Sequence, residues 1–151
     1  RYGSMVSAAV LCCASSFVMR EEGLRTSAYL DSVGVPTICY GETENVKLGD
    51  KKSPEECSEL FSAKLGFYAY SVQTMIDRPL PPETLAAFTS WAYNVGLNAA
   101  RKSTLIKKAR TGDITGACAE LPRWKYAGGK AILLNRRERE KELCLKGLQN
   151  V

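Results

Sequence analysis

Arg20–Thr43 reads REEGLRTSAYLDSVGVPTICYGET, and this stretch decides the fold. Ahead of Gly23 the chain reads as a helix, residues 5–22, that ends in two adjacent carboxylates, Glu21 and Glu22. Beyond it, Gly23, Tyr29, Gly34, Pro36, Tyr40 and Gly41 read as a hairpin that folds back on the helix. Short strands are expected over residues 27–47, with turns at 32–34 and 44–45. Glu22, Asp31 nine residues later and Thr37 six later still place two carboxyl groups and a hydroxyl in this one segment. Glycoside hydrolysis needs such a set: one carboxyl protonates the leaving oxygen, and a second positions water or stabilises the sugar cation.

Working outward, Ser53-Pro54-Glu55-Glu56 is a capping box with Pro at the first helical position, opening a long helix to about Ile76. Leu60, Phe61, Leu65, Tyr68, Val72 and Met75 form its apolar stripe. Arg78-Pro79-Leu80-Pro81-Pro82 breaks that helix and starts another, which ends near Gly96. Further helices are expected over 102–110, 113–121 and 131–147, punctuated by Gly112, Pro122 and Gly128-Gly129. The class is α+β, mainly helical: a small β-containing N-terminal lobe and a helical C-terminal lobe around a cleft. Trp91, Tyr93 and Trp124 read as core residues. Trp124 and Tyr126 read alternatively as flat walls for sugar rings.

At 151 residues the chain is one folding unit with room for a real core. Its charge is uneven. Residues 1–100 carry 8 basic and 11 acidic side chains, net −3, and residues 101–151 carry 13 and 5, net +8. A basic half suits an anionic polymer. Glu138, Glu140 and Glu142 interrupt the basic run and no nucleic-acid module signature is visible, so nucleic acid is not the expected partner. The chain has no His, which excludes Ser-His-Asp and Cys-His sites and argues against a His-ligated catalytic zinc. No phosphate-binding or dinucleotide glycine fingerprint is present. The chemistry therefore falls to carboxylates, with no metal and no organic cofactor expected.

Glu22-Gly23, Ala28-Tyr29-Leu30-Asp31, Pro36-Thr37-Ile38 and Tyr40-Gly41 together resemble the active-site signature of phage-type lysozymes, in which Glu is followed after eight residues by Asp or Cys and after five more by Thr. Later landmarks follow in family order: Ser90–Gly96 (SWAYNVG), Arg101–Leu105, Gly112-Asp113, Arg123–Gly129 and Arg136–Glu140. The resemblance spans roughly residues 17–147. It implies a muramidase that cleaves the β-1,4 bond between N-acetylmuramic acid and N-acetylglucosamine in peptidoglycan. Glu22 would be the general acid, chosen over Glu21 because the family's acid precedes Gly. Asp31 would be the ionised carboxylate and Thr37 would position water. Family members of this type invert at the anomeric carbon. Arg136 or Arg137 would pair with Glu22, while Tyr40 and Trp124 would support the site or bind substrate.

Six cysteines (12, 13, 39, 57, 118 and 144) point to an oxidising compartment and structural disulfides, though 15 connectivities are open to sequence alone. The resemblance to exported endolysins implies Cys39 with Cys57 and Cys118 with Cys144. Residues 2–19 carry no charge, are rich in Ala and Ser, and are near the lower limit for spanning a bilayer. Residues 1–20 resemble the signal-arrest-release segment of a subset of endolysins, which holds the enzyme at the inner membrane before freeing it into the periplasm; residues 21–151 would be the catalytic domain. An ordinary first helix is the competing reading, as is an artificial Arg1–Ser4 ahead of Met5. Thiol exchange between Cys12 or Cys13 and Cys39 is a further possibility. A monomer is expected. Other activities are a lytic transglycosylase, a non-catalytic wall-binding or membrane-binding protein, and a cationic membrane disruptor acting through residues 132–146.

Overall fold

The structure is a computed structural model that describes residues 6–149; expectations for residues 1–5, the artificial leader among them, lie outside it. Helix α1 (Ala8–Glu22) leads into a two-stranded antiparallel sheet, β1 (Arg25–Leu30) and β2 (Pro36–Cys39). Helices α2 (Pro54–Ile76), α3 (Pro82–Val95), α4 (Leu97–Arg101), α5 (Thr104–Arg110) and α6 (Ile114–Glu120) follow. A 3-10 turn (Leu121–Trp124) and α7 (Leu134–Gln149) complete the described chain.

Local chemistry sets most boundaries. Ser7 caps α1 by accepting from the Val10 N–H. Gly23, at φ 73°, takes a conformation that other residues reach only at a cost, and it ends α1 directly after Glu22. The capping box at α2 forms as expected: Ser53 Oγ accepts from the Glu56 N–H at 3.1 Å, and Glu56 accepts from the Ser53 N–H at 2.9 Å. The hairpin pairs Tyr29 with Thr37 and Leu30 with Pro36, with an irregularity between Arg25 and Tyr29. That register brings Thr37 beside the strand that leads into Asp31.

Several boundaries differ from the sequence reading. β1 begins two residues earlier than expected, and residues 40–52 form loop rather than strand, held by isolated bridges Ile38–Glu42 and Ser27–Lys51. The 102–110 helix starts at Thr104, where Ser103 supplies a cap, and a separate short helix, α4, precedes it. α7 starts at Leu134 rather than residue 131. The Leu133 N–H is committed to Lys125 O, which holds residues 125–133 in a loop. In the α2 stripe, Leu60 faces solvent at 37% exposure; Cys57, Ala69 and Ile76 join Phe61, Leu65 and Val72 in the core instead.

α3 is the central element. Every residue from Thr84 to Tyr93 is buried, because α1, α2 and α7 pack around it. One core cluster gathers Val72, Ile76, Phe88, Trp91, Leu105, Ile106 and Leu121, and a second joins Ala14 and Val18 of α1 to Phe61, Leu65 and Tyr93. Residues 8–22 form one helix across position 20, with Val10, Ala14, Phe17 and Val18 buried. Two disulfides brace this arrangement in the pairing that the resemblance implied. Cys39–Cys57 ties the end of β2 to α2, and Cys118–Cys144 ties α6 to α7. Cys12 and Cys13 are free thiols, Cys12 exposed.

Cys118–Cys144 closes a 26-residue separation, which the chain-entropy model values at roughly 3–4 kcal/mol. Replacing both cysteines with Ser should lower Tm by roughly 10 °C in a thermal melt under non-reducing conditions. An unchanged Tm would mean that α6–α7 packing alone fixes this end of the molecule.

Candidate active site

A cleft of about 910 Å³ runs between the hairpin and the helical lobe, lined among others by Glu22, Tyr29, Asp31, Thr37, Asn94, Trp124, Tyr126 and Arg136. The three sequence-predicted catalytic residues thus face one space, each delivered by a different element end. Glu22 is the last residue of α1, Asp31 follows β1, and Thr37 lies in β2.

Asp31 builds its own loop. Its Oδ1 accepts from the backbone N–H groups of Val33 at 3.0 Å and Val35 at 2.8 Å, and its carbonyl accepts from Gly34. One carboxylate oxygen therefore holds the hairpin turn, and the other is not among these bonds. Thr37 is buried, and its hydroxyl donates to Val35 O at 2.8 Å. With that proton committed, the Thr37 oxygen is left as an acceptor, the polarity needed to orient a water through one of its hydrogens.

Glu22 is 17% exposed and its Oε2 accepts from Arg136 at the start of α7. Its Oε1 lies against Gly41: a Cβ on that glycine, which sits at φ 77°, would fall 2.5 Å from Oε1. Gly41 is thus required twice, for its backbone conformation and for the space it leaves. The Cys39–Gly41 turn is closed by reciprocal 2.8 Å bonds between Ile38 and Glu42. It is further held by the Tyr93 hydroxyl, which donates to Tyr40 O at 2.7 Å. Burial, with the Glu22 and Glu42 charges, pushes the Tyr93 phenol far up, so it stays a donor. The Tyr40 ring packs on Phe61 at 5.0 Å and does not line the cleft, so Tyr40 acts as support.

Glu21 is engaged elsewhere. Both its oxygens accept from Arg139, at 2.6 and 2.7 Å, and that hydrogen bonding holds its carboxyl below the ordinary value. Arg137 does not reach Glu22. It is fully buried and pairs with Glu140 at 2.7 Å, while its Nη2 donates to Asn94 Oδ1 at 3.0 Å. Trp124 is half-buried: it packs edge-on against Trp91 at 5.4 Å and lines the cleft. Lys64, paired with Glu42 at 3.1 Å and lying 5.0 Å from the Tyr93 ring centroid, lines the cleft as well. Neither Lys64 nor Glu140 was assigned from sequence. For Glu140 a signal existed in the Arg136-Arg137-x-x-Glu140 spacing, which sets ion pairs at i,i+3 and i,i+4 on one helix. Among the described residues no group of three His, Cys, Asp or Glu is placed to hold a metal ion.

The phage lysozyme family profile matches residues 19–140. The chain belongs to the phage lysozyme family. It is 43% identical over 131 residues to the SAR-endolysin of Bacteriophage PS119, covering 85% of this chain and 78% of that one. It is 40% identical over 150 residues to the SAR-endolysin of Enterobacteria phage PA-2, covering 97% and 91%. The crystal structure of a P22 lysozyme mutant superposes with TM-score 0.74 at 32% identity, covering 93% of this chain and 97% of that one. This phage lysozyme is accordingly an endolysin-type muramidase with the lysozyme-like α+β fold.

Two outcomes follow from this geometry. Gly41→Ala should cost about 1–2 kcal/mol of stability through its left-handed backbone. Because it also displaces Glu22, kcat should fall by about 10- to 100-fold; both are read from a thermal melt and a turbidity assay on cell walls. The Glu21–Arg139 pair should stabilise the fold only where Glu21 is ionised. Its folded value lies below the ordinary 4.5, so the contribution is present above that pH and lost as pH falls through the folded value. Glu21→Gln should therefore lower Tm at pH 7 and leave it near wild type at pH 2–3 (about two units below the ordinary carboxyl value).

Proposed function

We propose that Glu22 is the general acid, Asp31 the general base and Thr37 the water-positioning group in hydrolysis of the β-1,4 bond between N-acetylmuramic acid and N-acetylglucosamine. The observation that carries this reading is the meeting of these three groups in one cleft, with Glu22 fixed by Arg136 of α7. Glu22 donates its proton to the leaving glycosidic oxygen. Asp31, with one oxygen committed to the turn, uses the other to accept a proton from water, and the Thr37 oxygen accepts that water's second hydrogen. The water lone pair is then directed at the anomeric carbon from the face opposite the acid, which gives inversion. Trp124 and Tyr126 offer aromatic faces to the sugar rings. The net +8 of residues 101–151 suits a wall polymer whose stem peptides carry free carboxylates.

We also infer that residues 1–20 act as a releasable membrane segment ahead of a catalytic domain over 21–151, and that a monomer works in the periplasm. Support comes from the SAR-endolysin relatives and from the uncharged run 2–19. α1 also buries only small or medium side chains apart from Phe17, and no described helix is long and apolar enough to cross a membrane. On this reading the same residues sit weakly in lipid and pack against α3 once free, with Glu22 brought into place by that packing.

Digestion of purified peptidoglycan, with products read by mass spectrometry, tests the reaction. Wild type should yield reducing N-acetylmuramic ends, and Glu22→Gln and Asp31→Asn should each lose about 10²- to 10⁴-fold in rate. Anhydromuramic ends, with Asp31→Asn still active, would instead indicate a transglycosylase. Lysis by Glu22→Gln at the wild-type rate would indicate membrane disruption.

A further inference from the structure

Behind Glu22 and Arg136 lies a buried ion pair, Arg137 with Glu140, that the reaction as described does not use. Glu140 and Arg137 are both fully buried, and Arg136 is 7% exposed. All three guanidinium nitrogens of Arg136 are occupied. Nη1 donates to Glu22, Nε lies 3.3 Å from Glu140 Oε2, and Nη2 reaches Ser90 O at 3.3 Å and Ser90 Oγ at 3.4 Å. Glu140 Oε2 also accepts from Ser90 Oγ at 2.6 Å and from Arg137 Nη2 at 3.3 Å, while its Oε1 meets Arg137 Nε at 2.7 Å. That last contact is ionic and off the line of a hydrogen bond, since neither atom has a well-aligned partner.

Stability does not explain this arrangement. Apolar side chains of similar volume commonly match or exceed a buried ion cluster in stability. Burial drives Glu140 towards its neutral form, opposed by the Arg137 and Arg136 charges and by the Ser90 hydroxyl. Burial also pulls Arg137 down to about 10, which leaves it charged at neutral pH. The bonds that Glu140 accepts, from a hydroxyl and two guanidinium groups, are those of a carboxylate.

We propose that Glu140 is a positioning residue for the hydrolytic reaction: held by Arg137 and Ser90, it fixes Arg136 against Glu22 and balances the second guanidinium charge behind the acid. This rests on the reading of Glu22 as the general acid. When Glu22 carries its proton, Arg136, Arg137 and Glu140 sum to one positive charge. Without the Glu140 charge the sum is two, and Glu22 releases its proton more readily. Without the Arg137 charge it is zero, and Glu22 holds its proton to higher pH. The other charged or titratable groups around Glu22 stay in place in both cases. They are Glu21 beside it on α1, Arg139 of α7, Tyr93 of α3, Lys64 of α2, Asp31 after β1 and Glu42 after the Gly41 turn.

The test is kcat and KM on purified peptidoglycan across pH for wild type, Glu140→Gln, Arg137→Gln and the double variant, with Tm recorded for each and products read by mass spectrometry. Glu140→Gln should lower kcat by about 10- to 100-fold with KM little changed. It should also move the alkaline limb of kcat down by about one pH unit. Arg137→Gln should move that limb up, and the double variant should return it to the wild-type position. A residue that only stabilised the fold would lower Tm and the active fraction and leave the limb unmoved in every folded variant, which overturns the proposal. If one single variant does not fold, the direction of shift in the other decides. Reducing muramic ends from wild type alongside an unmoved limb would reject the role of Glu140 alone; their absence from wild type would reject the hydrolytic reading on which that role rests.

Discussion

Arg136 ties the end of α1 to α3 and α7 at the point where the chemistry would occur. Its guanidinium faces Glu22 at the end of α1 on one side and Glu140 and Ser90 on the other. Burial works against the Arg136 charge, and the Glu22 and Glu140 carboxylates more than offset it, so the group stays a cation in a largely dry site. Such a contact is directional and short-ranged. It has value only if α1, α3 and α7 are already placed within a fraction of an ångström, and the dense packing around α3 provides that. The continuous burial of Thr84–Tyr93 is what allows Ser90 to present both its hydroxyl and its carbonyl to the cluster.

The small lobe is held differently, because two strands alone are marginal. Asp31 organises the hairpin turn through its Oδ1, and Thr37 closes onto Val35. The Cys39–Cys57 disulfide then fastens the end of β2 to α2. Cys39 itself sits in the left-handed region, at φ 60°, and starts the turn that places Gly41 under Glu22. Strain at that position is tolerable because the disulfide, the Ile38–Glu42 bonds and the Tyr93 hydroxyl all restrain the same five residues. Asp31 and Thr37 thus face the cleft and scaffold the loop with the same side chains, and substitutions at Asp31 carry a structural component.

Features that depend on neighbours in sequence were legible in the sequence. The Ser53 capping box, the proline break before α3 and the hairpin turns rest on side chains within a few residues of the backbone they satisfy. The spacing Glu22, Asp31, Thr37 was readable for the same reason, since one helix end and one hairpin carry all three. α4 escaped because a five-residue helix after Gly96 has no side-chain cap to announce it. Leu60 was misplaced because it projects about 100° from Phe61, on the side away from the face that Phe61, Leu65, Val72 and Ile76 bury. The disulfide pairing came from family resemblance, not from spacing. The link from Glu140 to Ser90 spans fifty residues and has no local signal that fixes its partner.

Two adjacent carboxylates at the end of one helix receive opposite treatment, and the difference lies in α7. Successive helical residues project about 100° apart, so Glu21 and Glu22 cannot face the same partner. Arg136 and Arg139, three residues apart, lie on one face of α7, and each takes one of them. Arg139 grips both oxygens of Glu21. Arg136 takes only Oε2 of Glu22, because its other nitrogens are committed to Glu140 and Ser90. Oε1 of Glu22 remains for a proton, set over the one residue without a side chain, Gly41. The different settings of Glu21 and Glu22 are thus decided less by the two carboxylates than by how many nitrogens each arginine has left to give.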